Sequence, residues 1–409
     1  MSLFAIRPLP RFFGRISTKV ALKDMTLLPF CMIFALVINV CMSLSDLEFM
    51  ALSYAVQAAV LASFLFMTYL MIHEGGMSRY GFLFFLFMFL MVCFTILNAT
   101  DIKNGIYTSI AVWLMMLILR YWRHRMGMVM QCFAIALSFC AYVNFLHVLT
   151  NPLMWLVDEN KSPSGYLLGG NYNQMGCRLI IGIITNILCL RYHRLWMANV
   201  IGVSVAVMAT LAMVGSMTSL SMIAVFLLYC VVPSRRLRRW GIYGLFAGFL
   251  IFQIFVVFSE HGLENNEMAV YIVEDVLKKD ITFTNRTHMW DSALRIIVKS
   301  PLYGYGYVDG DWFKSYMTSW ATGPHNFVLY VLVTGGIVLM ALYVMICLMA
   351  YKAIHPFRDE RLAQTTLFCV VTLMFMALME AYPFPVMFYA ISLLYYYPYI
   401  SCRKIPTSQ

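Results

Sequence analysis

The sequence predicts an all-α integral membrane protein, and three observations carry that reading. Of the 409 residues, 62% are hydrophobic and only 12% are charged, about half the charged share of a soluble domain. Apolar stretches of about 17–25 residues, long enough to cross a hydrocarbon core of about 30 Å, recur from end to end. When these stretches are taken as alternating spans, the basic residues sort to one side.

Taken in order, the spans are about twelve: 27–44, 49–72, 80–97, 105–119, 126–149, 176–190, 196–215, 217–232, 240–258, 324–350, 363–380 and 382–399. The seventh and eighth are short and divided only by Gly215 and Ser216, which leaves a kinked or re-entrant pair open. Starting with Arg7, Arg11, Arg15, Lys19 and Lys23 inside, the alternation sends 20 of the 29 Lys and Arg residues to cytoplasmic segments. Only Asp24, Glu74, Asp359 and Glu360 join them among the 19 acids. Both termini are then cytoplasmic, and the polar chemistry lies on the opposite face. Residues 1–409 read as one polytopic membrane domain. The N-terminus lacks a small-residue cleavage site after a short apolar core, so the first span is expected to be an uncleaved anchor.

A net charge of +10 invites a nucleic-acid reading. The excess is spread over short loops where it sets topology rather than forming one basic face, so no nucleic-acid partner is expected. The eleven cysteines lie in or beside spans and form no CxxC pair. They are expected to be apolar packing residues.

Two outer segments exceed simple turns. Residues 150–175 end in Gly169-Gly170-Asn171-Tyr172-Asn173-Gln174. Residues 259–323 form the long extracytoplasmic loop, a region of the size that is usually functional or disordered. Within it, Asn285 is placed to cap a helix running from Arg286 to about Lys299, with Met289, Ala293, Ile296 and Ile297 at helical spacing. Ser300-Pro301 ends it, and a Gly- and Tyr-rich turn, Tyr303-Gly304-Tyr305-Gly306-Tyr307, follows. An amphipathic helix lying on the membrane surface fits this pattern.

The residues able to carry chemistry lie on the outer face. Arg178, at the start of the sixth span, either snorkels to headgroups or offers its fork of donors to a phosphate. Arg286 is either a surface charge or part of an anion site, since a helix N-terminus does not favour a cation unless an anion joins it. His325 opens the tenth span beside Asn326. It is either structural or a neutral imidazole able to take a proton from an alcohol. Glu380, ending the eleventh span, is a rim residue or the group that orients such a base. Asp309-Gly310-Asp311 imitates an acidic metal-binding pair, but so short a pattern is common by chance, and no metal or cofactor is expected. Ser216, Thr218, Ser219 and Ser221 are expected to bond to backbone or to neighbouring helices rather than serve as nucleophiles.

The run Arg286-Thr287-His288-Met289-Trp290, then Ser300-Pro301-Leu302-Tyr303-Gly304-Tyr305-Gly306, then Pro324-His325-Asn326 and Gly335-Gly336 resembles one family. It is similar to the O-antigen polymerase and ligase superfamily of bacterial envelope glycan assembly. Members share an Arg with a Trp four residues on, a Pro-x-x-Gly-x-Gly turn, and a His-Asn pair opening a span with two glycines downstream. The resemblance implies a membrane glycosyltransferase of the C-type fold in the bacterial inner (cytoplasmic) membrane. It would use polyprenyl-diphosphate-linked oligosaccharide as donor and a glycan as acceptor, with no metal and with inversion. Carried over, Arg178 and Arg286 grip the donor diphosphate, and His325 is the general base. Asn173, Asn326 and Glu380 support them. One departure stands out: Met217, in Gly215-Ser216-Met217-Thr218, occupies a place where many relatives carry a basic residue.

The leading expectation is a polymerase of lipid-linked repeat units, of O-antigen or capsule, with a chain-length regulator as an accessory partner. The alternative within the family is a ligase passing glycan to lipid-A core or protein. A lipid-linked oligosaccharide flippase is the alternative of another class. It would need ionisable residues deep within spans, where this sequence has almost none.

Overall fold

The computed structural model describes residues 26–42, 44, 49–74, 77–151, 168, 172–259, 286–319 and 321–401. The basic N-terminal segment, Asn285 and the Gly169-Gly170-Asn171 run lie outside them. Among the described residues the chain is all helix, without strands.

A helix stands in each predicted span: α1 (Leu27–Cys41), α2 (Met50–Glu74), α3 (Arg79–Leu97), α4 (Ile102–Tyr121), α5 (Met126–Thr150), α6 (Met175–Cys189), α7 (Trp196–Met213), α8 (Met217–Val231), α9 (Arg235–Phe252), α12 (Phe327–Ile354), α13 (Arg361–Met376) and α14 (Phe384–Tyr395). The chain between α9 and α12 supplies α10 (Arg286–Lys299) and α11 (Gly310–Tyr316), and α15 (Tyr397–Ile400) follows α14. Seven helices are long and apolar enough to cross a membrane; α1, α6, α8, α13 and α14 are shorter apolar helices. A 15-residue helix rises only about 22 Å, less than a hydrocarbon core of about 30 Å.

Helix starts follow local chemistry. Ser78, Asp101 and Ser234 each accept a hydrogen bond from an amide of the first turn of α3, α4 and α9, at 3.1, 3.1 and 3.3 Å. Between α7 and α8 the chain turns at Gly215, whose φ is +72°, and the Ser216 amide reaches back to the Leu211 carbonyl at 3.0 Å. That 6→1 closure with a left-handed glycine ends α7, so the seventh and eighth stretches are two helices joined by a tight turn.

Burial separates inner from outer helices. Nearly every residue of α6 and α14 is buried, as expected of helices that are apolar all round and sit inside a bundle. Around them α2, α7 and α9 expose Leu, Phe, Tyr and Trp side chains such as Leu65, Ile201 and Trp240, the surface that lipid would cover.

Two features depart from the simple span pattern. The ninth stretch ends in a π-helical turn, Gln253–Val257, and α12 is broken at Gly335 (φ −148°, ψ 18°) and Gly336 (φ 58°, ψ −156°). Helix α10 is amphipathic, but its apolar stripe does not lie free for a membrane surface. Trp290, Ala293 and Ile296 pack with Val256 and Val257 of the π turn, Phe313 of α11, and Leu329 and Val333 of α12, forming a second core. Enough protein surface is available to bury that stripe, so lipid is not needed for it.

Candidate active site

The break in α12 and the Pro-x-x-Gly-x-Gly turn are one structure. Interrupting a helix at Gly335-Gly336 would strand the carbonyls before the break and the amides after it. The turn takes four of them. Tyr305 and Gly306 amides donate to the Val333 and Thr334 carbonyls at 2.8 Å each, and the Ile337 and Val338 amides donate to Pro301 and Leu302 at 2.8 and 3.2 Å. Irregular backbone at membrane depth is tolerated where protein satisfies it in this way. The backbones approach so closely that a Cβ on Gly304 (φ +61°) would lie 2.4 Å from the Val333 carbonyl oxygen. The turn also binds the C-terminal end of α3, where the Tyr307 amide donates to Thr95 Oγ1 at 2.8 Å. Trp290, 1% exposed and edge-on to Phe252, anchors α10. Arg286 stands one helical turn before it on α10.

His325 sits just before α12 with φ +44°, one of two non-glycine residues in the left-handed region among those described. Such a conformation costs about 1–3 kcal/mol and persists only where its surroundings impose it. Here they do. Asn326 caps α12, accepting from the Leu329 amide at 3.0 Å, and its Nδ2 donates to Gln253 Oε1 at 3.0 Å and to the Leu378 carbonyl at 3.2 Å. The Phe327 amide donates to the Ala377 carbonyl at 2.9 Å. The start of α12 and the turn after α13 are thus knitted together, and His325 Nδ1 meets Glu380 Oε2 at 3.0 Å. The Glu380 side chain is 5% exposed and the His325 side chain 13%. The second carboxylate oxygen of Glu380 accepts from the Ala381 amide at 3.2 Å.

The other sequence-predicted residues converge on the same region. Arg178, on the first turn of α6, donates to the Leu168 carbonyl. It acts electrostatically on Cys177, as does Glu380. Arg286, Glu380 and Ser219 all lie near Tyr382, a buried side chain. Asn173 accepts from Ser216 through its side chain at 3.5 Å and from Ser219 through its carbonyl at 3.4 Å. Arg178, Arg286, His325, Glu380 and Asn173 therefore share one neighbourhood. Asn326 does not open into it: it is fully buried, and its polar atoms are spent on the turn. An apolar crevice of about 30 Å³ runs between α1, α4, α5, α6 and α14, lined by Val40, Cys41, Ala111, Phe133, Ile181 and Pro385 among others.

Asp309 and Asp311 stand apart from this arrangement. Asp309 caps α11 by accepting from the Trp312 amide at 2.8 Å, and Asp311 pairs with Lys314 at 2.9 Å. Two contributors escaped the sequence reading. Gln253 had a legible signal, a lone amide in the apolar run Ile254-Phe255-Val256-Val257. Gln174, whose Nε2 donates to the Ala381 carbonyl at 3.3 Å, joins segments 207 residues apart and left no local trace. The hydroxyls of Ser216 and Ser219 do bond to backbone and neighbouring segments as expected, and the segment they hold is that of Asn173.

A family model described as O-Antigen ligase matches residues 200–344. The comparisons with curated proteins and with solved structures found no match. The matched region runs from α7 to the second half of α12 and includes Arg286, His325 and the Gly335-Gly336 break, while Arg178 and Glu380 lie outside it. Over the broken helix and the loop docked into it, the chain is thus similar to that family.

Proposed function

We propose that the chain is a metal-independent, inverting glycosyltransferase that polymerises lipid-linked repeat units of O-antigen or capsule. In this reading all twelve long apolar stretches cross the bacterial inner membrane. The charge segregation puts the His325–Glu380 end outside.

One observation carries the reading: a histidine in a strained backbone conformation is held by a buried carboxylate, with two arginines in the same neighbourhood. An ionised Glu380 accepts from Nδ1–H of His325, which leaves Nε2 as the ring's acceptor. That nitrogen takes the proton of an acceptor sugar hydroxyl as the oxygen attacks the anomeric carbon. The bond to polyprenyl diphosphate breaks on the opposite face, so the configuration inverts. Arg178 and Arg286 hold the diphosphate and stabilise the negative charge that develops on it.

The test is His325→Ala in cells lacking the native copy, scored by polymer length on a gel together with protein abundance. Normal long chains at normal abundance would remove His325 from the reaction. The description of the matching family favours a second reading, a ligase running the same chemistry onto lipid-A core or protein. Reconstitution with lipid-linked repeat units alone separates the two, because only a polymerase extends them without another acceptor.

A further inference from the structure

At the far end of α13 from Glu380 lies a cavity of about 560 Å³, lined by Arg191, Arg235, Arg238, Arg361, Asp359 and Glu360 among others. We propose that this cavity is a binding site for a phosphate-bearing anion, separate from the glycosyl-transfer site. Four arginines face two carboxylates there, and both carboxylates have other partners: Asp359 pairs with Arg239 at 3.9 Å, and Glu360 accepts from the Tyr397 hydroxyl at 3.1 Å. The first residues of α9 and α13 also line it, so two helix N-termini point positive dipole ends at the same space. Placing Arg235 and Arg361 at those N-termini is unfavourable unless an anion joins them.

Arg238 supplies an independent observation. It is 1% exposed, and its guanidinium donates to Gln364 Oε1 (3.0 Å), the Tyr229 carbonyl (3.1 Å), the Arg361 carbonyl (2.9 Å) and Thr365 Oγ1 (2.6 Å). It also stacks over the Tyr229 ring at 4.4 Å. Every one of these partners is neutral. A buried cation is ordinarily balanced by an anion, and the cavity is where one can sit.

The phosphate could come from a lipid headgroup or from a soluble ester. Further along α9, Trp240 and Tyr243 are 67% and 56% exposed, aromatic side chains of the sort that settle at the membrane–water boundary. The test uses the full chain purified in detergent. Phosphatidylglycerol, phosphatidylcholine and inorganic phosphate are each titrated, with binding followed by native mass spectrometry and thermal shift. Expected is binding of phosphatidylglycerol over phosphatidylcholine, weakened about tenfold in R235Q/R361Q, the loss of charge-assisted hydrogen bonds. R235Q alone, at an exposed position, is expected to weaken it about threefold while leaving the ligand-free melting temperature unchanged. Inorganic phosphate binding with the same dependence on Arg235 and Arg361 supports the site and assigns it to a soluble ligand. Equal binding of both lipids with no phosphate binding overturns the proposal. So does an equal loss in R194Q/R236Q, which removes neighbouring charges that do not line the cavity.

Discussion

The two ends of α13 handle charge in opposite ways. At one end Glu380 and His325 pair through two side chains, each delivered by a turn, and the histidine sits in the left-handed region with φ +44°. At the other, Arg238 lies within a regular helix and is held by two carbonyls, an amide and a hydroxyl, none of them charged. The first arrangement keeps a titratable ring in a conformation the backbone resists, and the rest of the turn must hold it there. The second spreads one cation over many neutral acceptors and locks α9 to α13. Strain and an ionisable pair mark an end organised for reaction; saturated hydrogen bonding marks an end organised for stability or for binding a counter-charge.

Substitutions can break this contrast. The largest effect is expected from His325→Ala: glycan transfer falls by about 10³-fold, within the range a general base contributes, while stability falls only modestly, since Ala keeps the left-handed backbone and Glu380 loses its partner. Transfer assays beside thermal unfolding in detergent would show it. Arg238→Ala should do the reverse, with stability falling by about 3 kcal/mol as buried acceptors lose their donor. Gly304→Ala probes the junction between loop and broken helix. With φ +61° and the Val333 carbonyl oxygen 2.4 Å from the added Cβ, a loss of about 2 kcal/mol is expected, accompanied by lower activity because Tyr305 and Gly306 no longer seal the break. Glu380→Gln keeps an acceptor for Nδ1–H but removes the charge, so activity is expected to drop about tenfold at unchanged protein abundance. Smallest of all is Asp311→Asn, which loosens an exposed ion pair with Lys314 and should change stability by less than about 0.5 kcal/mol. A large loss of transfer in that variant would revive the acidic pair as a metal site.

Much of this was legible in the sequence. The helical stretches could be read because a membrane helix must be apolar along its whole length. The loop helix from Arg286 to Lys299 could be read because its apolar residues recur at helical spacing. His325, Glu380 and the two arginines were individually visible as ionisable groups beside apolar spans. What could not be read was their pairing. His325 and Glu380 are 55 residues apart, and they meet only because the Phe327 amide binds the Ala377 carbonyl and Asn326 ties the π turn to Leu378.

Insertion into a membrane, helical content and the segregation of charge follow from local composition, because the free energy of burying a backbone in lipid is set residue by residue. That α10 packs on protein rather than lipid, that the two glycines of α12 receive the Tyr-Gly turn, and that Arg238 is buried among neutral partners were decided by tertiary structure. Each depends on surfaces of separate elements meeting, and no local pattern encodes which surfaces those are.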